Sequence, residues 1–116
     1  MDRLKRRAEF KRAAKGVRVG REAFTLQAVR RQDDAPARVG FTVTKKTGNA
    51  VVRNRIKRRL RALAADHPAA FEGATDYVII ARRAALATPY EGLASELAAA
   101  LSAAGKKLQR DADRQS

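Results

Sequence analysis

Between Lys45 and Arg61 the chain carries eight basic residues and no acidic one. Arg53, Arg55, Lys57, Arg58, Arg59 and Arg61 stand among the apolar residues Val52, Ile56, Leu60 and Leu63. At about 100° per residue those four apolar side chains share a sector of about 80°, the stripe of a helix that packs one side on a core. The helix is expected over 50–65, with Asn49 as its N-cap and Pro68 barring continuation. Arg53, Asn54, Lys57, Arg58 and Arg61 then point outward, and Arg55 and Arg59 flank the stripe. A solvated helix face usually interleaves signs, because opposite charges one turn apart add about 0.2–0.5 kcal/mol and like charges cost as much. Arg53–Lys57–Arg61 and Arg55–Arg59 are like pairs, a repulsion that a polyanion relieves. Arginine suits bidentate phosphate contacts and stacking on bases. Asn54 can both donate and accept toward a base edge or a 2′-OH.

The same asymmetry runs through the whole chain. Of 116 residues, 26 are Lys or Arg and 12 Asp or Glu, a net charge of +14. Residues 1–61 hold 20 of the basic and 5 of the acidic residues, and residues 62–116 hold 6 and 7. Solubility alone requires no such polarity, so nucleic acid or an anionic membrane is the expected partner class. The length is that of one domain, expected to span 1–116 with a frayed polar tail over 106–116. With no cysteine, disulfides, thiolate metal sites and cysteine nucleophiles are excluded. No apolar run approaches the roughly 18–20 residues that span a bilayer. Basic residues follow Met1, but no apolar segment completes a secretory signal. The expected location is the cytoplasm, with no membrane partner.

Periodicity supplies the rest of the architecture. Residues 4–15 read as a short helix, with Gly16 placed to end it. Residues 23–30 alternate: Phe24, Leu26 and Ala28 on one face, Thr25, Gln27 and Val29 on the other. Residues 38–44 alternate more cleanly, and the short link through Pro36 suggests that they form an antiparallel hairpin with 23–30. Residues 76–81 form a strand apolar on both faces, and 50–65 is its candidate crossover from 38–44 in a parallel pair. Thr88, Pro89 and Glu91 read as the capping start of a last helix, striped by Leu93, Leu97 and Leu101 and ended by Gly105. The expected fold is of the α+β class, an α/β sandwich in the order α-β-β-α-β-α. A single mixed sheet of about four strands, with an extra short strand possible near 17–20, carries three helices.

A basic helix can enter a DNA major groove. Yet the chain lacks a helix-turn-helix pair or a dimerising zipper. A sheet face bearing Thr25, Gln27, Thr42 and Thr44, near Phe10 and flanked by Lys45 and Lys46, looks more like a platform for single-stranded RNA. Phe10 reads equally as a core residue. A ribosome-associated structural protein and a DNA-architectural protein are competing readings of the same charge. Protein-borne hydrolysis is not supported. The only histidine, His67, sits before Pro68 at a helix end, and Asp33-Asp34 lies in a turn. No His, Asp or Glu spacing resembles a metal-ligand set.

The stretch Arg38–Arg61, with Arg53-Asn54-Arg55 at its centre, resembles the signature of the bacterial ribonuclease P protein family. Phe10, Gly16, Phe24 and Asp76–Arg82 extend the resemblance over about Leu4 to Leu101. That resemblance implies the protein subunit of an endoribonuclease whose catalytic RNA removes the 5′ leader of precursor tRNA. The RNA subunit carries the chemistry with Mg2+, and the protein broadens substrate specificity, one protein per RNA. It also implies a left-handed βαβ crossover, against the general right-handed rule. The RNA-subunit contact would use Asn49, Arg53, Asn54, Arg55, Lys57, Arg58, Arg59 and Arg61. The leader would lie between the first helix and the sheet, on Phe10, Thr25, Gln27, Thr42 and Thr44, with Lys45 and Lys46 at the rim and Arg7 and Arg82 as lesser candidates. The family often has a second aromatic one turn after Phe10, where Ala13 or Ala14 stands here. It often has another on the first long strand, where Gln27 stands.

Overall fold

Residues 1–115 are described in a computed structural model. In chain order the elements are β1 (Asp2–Arg3), α1 (Arg7–Ala14), β2 (Val17–Gly20), β3 (Phe24–Arg30), β4 (Arg38–Thr42), α2 (Ala50–Asp66), β5 (Thr75–Ala81) and α3 (Tyr90–Gln115). Short 3₁₀ turns occupy Lys45–Thr47, Pro68–Ala70 and Arg83–Leu86.

The five strands form one mixed sheet in the order β1-β4-β5-β3-β2. β5 is apolar on both faces, so it takes the most protected position, in the middle of the sheet. It pairs in parallel with β4, with α2 as the crossover, and antiparallel with β3. The hairpin expected between β3 and β4 is therefore absent, because β5 lies between them. The link over 31–37 spans two strand spacings instead of making a tight turn. The Arg31 guanidinium fills the gap, donating to the carbonyls of Ala35 (3.2 Å) and Pro36 (2.8 Å) and to Asp76 at the start of β5. The sheet's real hairpin joins β2 to β3, in register Val17↔Ala28 through Gly20↔Thr25.

Helices cover both faces. Phe24, Leu26, Ala28, Val39 and Ile79 face the main core, closed by Ile56, Leu60 and Leu63 of α2 and by Leu93, Leu97 and Leu101 of α3. Each of the larger side chains contributes about 1.5–3 kcal/mol by its burial. The other face carries a smaller cluster of Leu4, Ala13 and Val78, joined by Phe10, Val29 and Ile80 beneath α1. The expected split of β3 into two faces holds.

Three helix ends differ from expectation. α1 begins at Arg7, where Glu9 Oε1 accepts the backbone N–H groups of Lys5 (3.0 Å) and Arg6 (2.9 Å). Gly16 follows its end without a left-handed turn; a Cβ there would lie 2.0 Å from the Ala28 carbonyl oxygen, so the position needs glycine for close approach to β3. Thr88 does not cap α3: its hydroxyl donates back to the Ala84 carbonyl (2.7 Å), and Pro89 supplies the first helical acceptor. α3 does not stop at Gly105. Ala104 and Leu108 continue its buried stripe, and their burial outweighs the roughly 1 kcal/mol that a helical glycine costs. The expected tail over 106–116 is thus helical through Gln115.

Candidate nucleic-acid interface

α2 forms as its pattern requires. The Asn49 side chain accepts from the Val52 N–H at 3.0 Å, capping the helix. Ile56, Leu60 and Leu63 are buried, and Val52 is half-buried. Asn54, Arg55, Arg58 and Arg61 are exposed, with Arg53 and Lys57 half-buried beside them. Asn54, Lys57, Arg58 and Arg61 line an open depression of about 400 Å³. Among the described residues, no cation of α2 lies within 4.0 Å of a carboxylate. The Nε of Arg53 is enclosed without a protein acceptor.

Arg59 stands apart. It donates through Nη1 to the carbonyls of Ala85 (2.5 Å) and Leu86 (3.1 Å), and through Nη2 to Thr88 (2.6 Å). Its guanidinium fastens α2 to the turn that leads into α3. A helical wheel places Arg59 beside the apolar stripe but cannot show the three carbonyls that engage it. Arg83 works similarly, donating to the Thr47 carbonyl at 2.9 Å and holding the Lys45–Thr47 turn against the end of β5. Lys45 and Lys46 are exposed on that turn.

The face beneath α1 is organised in cross-strand rows. Thr42, Ile80, Thr25 and Gly20 make one row, and Gly40, Val78, Gln27 and Arg18 the next. Phe10 packs on the second row: a Cβ at Gly40 would come within 2.6 Å of its ring. Thr25 and Gln27 are almost covered, 3% and 6% exposed. They form the floor of this face and leave the accessible surface to Phe10, Thr42, Thr44, Lys45 and Lys46. Arg82 reaches across the floor and donates to Thr25 Oγ1 at 3.2 Å. Arg7 is exposed at the start of α1. Ala13 is fully buried, whereas Ala14, on Phe10's side of the helix, is exposed.

A charge network holds α1 in place. Asp76 is fully buried and accepts from Arg38 through both carboxylate oxygens (2.7 Å each) and from Arg31 (2.5 Å). Arg38 also donates to Glu9 of α1 at 2.5 Å. Burial pushes the Asp76 carboxyl up, but the hydrogen bonds from Arg38 and Arg31 outweigh it and hold the group below the usual aspartate range. Glu9 is held low by the N–H groups of Arg6 and Lys5. His67 is exposed at the end of α2. Among the described residues, no three His, Asp or Glu side chains gather as a metal site. No helix among them is long and apolar enough to cross a membrane.

Fold and charge together define a basic α/β sandwich in which, among the described residues, no cation of α2 meets a carboxylate. The family model for ribonuclease P matches residues 1–105. The ribonuclease P protein component of Brucella melitensis biotype 1 is 42% identical over 115 residues, covering 90% of this chain and 81% of that protein. The component from Paramagnetospirillum magneticum is 46% identical over 117 residues, covering 90% and 84%. The solved structure of the Staphylococcus aureus RNase P protein matches with a TM-score of 0.76 at 32% identity, over 90% of this chain and 95% of that one. The chain belongs to the ribonuclease P protein family, and so is a subunit of an endoribonuclease of tRNA processing, partner to the ribonuclease P RNA.

Proposed function

We propose that the outer face of α2 binds the RNA subunit of ribonuclease P, and that the face between α1 and the sheet receives the 5′ leader of precursor tRNA. The observation that carries this reading is the set of cations on α2 that, among the described residues, no carboxylate neutralises. Arg53, Asn54, Arg55, Lys57, Arg58 and Arg61 supply the phosphate and base-edge contacts. Asn49 adds its amide N–H donors while its oxygen caps the helix. Arg59 contributes charge to the field, its donors being engaged by carbonyls.

In the leader face, Phe10 offers a ring for stacking, Thr42 and Thr44 offer hydroxyls, and Lys45 and Lys46 meet the backbone. Thr25 and Gln27 shape the floor. The protein neutralises phosphates that would otherwise repel one another when leader and catalytic RNA approach. Hydrolysis is assigned to the RNA, and the described residues offer no cluster that fits its Mg2+. One protein per RNA and a cytoplasmic location complete the reading. Reconstituted cleavage of precursor tRNA, with and without the protein, tests it. The protein should lower the salt and Mg2+ needed for leader removal; unchanged cleavage refutes the assignment.

A further inference from the structure

β1 covers only the first part of the β4 edge. Asp2 and Arg3 pair with Arg38 and Val39, the Leu4 N–H donates to the Val39 carbonyl at 3.2 Å, and the chain then turns away into α1. In a parallel ladder, alternate residues of a strand direct both backbone groups to the same neighbour. Ala37 and Val39 point theirs toward β1. The next in that series is Phe41, whose N–H and C=O face outward with no strand beside them.

A cavity of about 320 Å³ opens at this point. Its floor is apolar: Leu4, Phe10, Val39, Gly40 and Phe41. Its rim is cationic. Arg3 and Lys5 come from the N-terminal segment, Lys57 and Arg61 from α2, and no acidic side chain lines it. None of these four cationic side chains donates to an acceptor or pairs with a carboxylate among the described residues. Four unpaired cations around an apolar lining suit an aromatic base flanked by phosphates, and disfavour a peptide strand that brings no negative charge.

We propose that the open edge of β4 is a pocket for one unpaired nucleotide of single-stranded RNA. The base meets the Phe41 N–H and C=O edge-on, with the Phe10 ring on one face of β4 and the Phe41 ring on the other. The flanking phosphates are held by Arg3 and Lys5 on one side and by Lys57 and Arg61 on the other. The pocket joins the leader face, through Phe10, to the α2 face, through Lys57. This inference deepens the RNA-binding reading and rests on it.

Binding of a single-stranded pentaribonucleotide and of the ribonuclease P RNA to the full chain is measured across a salt series, for the parent and for Arg3→Ala/Lys5→Ala. Both substitutions are exposed, and an unchanged circular dichroism melt confirms folding. Loss of two phosphate contacts should lower the oligonucleotide salt slope by about 1.4 and its affinity about 25-fold at 0.1 M salt. A double variant that binds the pentanucleotide as the parent does overturns the pocket while leaving the α2 reading intact. If the parent binds neither RNA, the underlying reading falls as well. In the reconstituted holoenzyme, 4-thiouridine is placed either in the leader or in the RNA subunit. A crosslink to the peptide containing Phe41 supports the pocket and names the strand that fills it. Crosslinks that reach that peptide from neither RNA overturn it.

Discussion

Neighbouring arginines on α2 do different work, and single substitutions separate them. Arg58 is exposed and makes no protein hydrogen bond among the described residues. Arg58→Ala should leave thermal stability within about 0.5 kcal/mol and flatten the salt dependence of RNA-subunit binding by about one phosphate's share. Arg59→Ala, one position on, removes the donor from three carbonyls. It should cost roughly 1.5–3 kcal/mol in a urea melt. If the two variants behave alike in both measurements, this division is wrong. Arg53→Ala and Arg55→Ala should also weaken RNA-subunit assembly, with a shallower salt slope. At Phe10 the expectation is the reverse: Phe10→Ala impairs leader-bearing substrate and spares assembly. Ala14 is exposed one turn after Phe10, so Ala14→Phe supplies a second aromatic beside it. It should tighten leader binding by about 1–3 kcal/mol, read as the difference between precursors with and without a leader. The same change at fully buried Ala13 would overpack the sheet.

At the scale of elements, a buried ion network decides where α1 sits. Glu9, Arg38, Asp76 and Arg31 link α1, β4, β5 and the 31–37 connection. Removing one partner leaves the others charged and unmatched, so Asp76→Asn should cost about 3–5 kcal/mol. The folded-state value of Asp76 is depressed. Its stabilisation is therefore present above the unfolded value of about 3.9 and disappears as pH falls through the lower folded value. Melts of the parent should weaken below about pH 4, and Asp76→Asn should flatten that slope. An equally steep acid slope in the variant would assign it to Glu9 and Asp33 instead. α3 offers a second check. Gly105 lies inside a continuous helix, and a Cβ there would meet only the end of the exposed Glu72 side chain, at 3.4 Å. Gly105→Ala should raise stability by about 1 kcal/mol, or about 4 °C in melting temperature. A helix that ended at Gly105 would show no such gain.

For the whole molecule, the consequence of the charge distribution is a steep salt dependence. Engaging roughly 6–10 phosphates should weaken RNA-subunit binding by about 10³–10⁵ between 50 and 200 mM salt, on the duplex-DNA calibration. A binding constant flat in that range would mean that α2 faces solvent in the holoenzyme. The layered fold makes such a collection of charge tolerable. Glu9 and Asp76 are taken up by the network beneath α1, and among the described residues no carboxylate pairs with a cation of α2, so like charges persist on that helix.

What the sequence determined by itself was whatever short-range periodicity and composition encode. α2 with its Asn49 cap and apolar stripe, the two faces of β3, the doubly buried β5 and the absence of cysteine chemistry are all readable within a window of a few turns. The resemblance around Arg53-Asn54-Arg55 added the family and its layered fold. Only the tertiary structure decided who sits beside whom. It placed β5 between β3 and β4, where a short link had suggested a hairpin, because a strand apolar on both faces is best covered in the middle of a sheet that carries helices on both sides. It engaged Arg59 with three carbonyls from a segment 26–29 residues away, and it sank Thr25 and Gln27 beneath α1. It also added β1, too short for any period to show. Contacts across such separations depend on how layers pack, and a linear pattern carries only the propensity to join a layer, not its neighbours there.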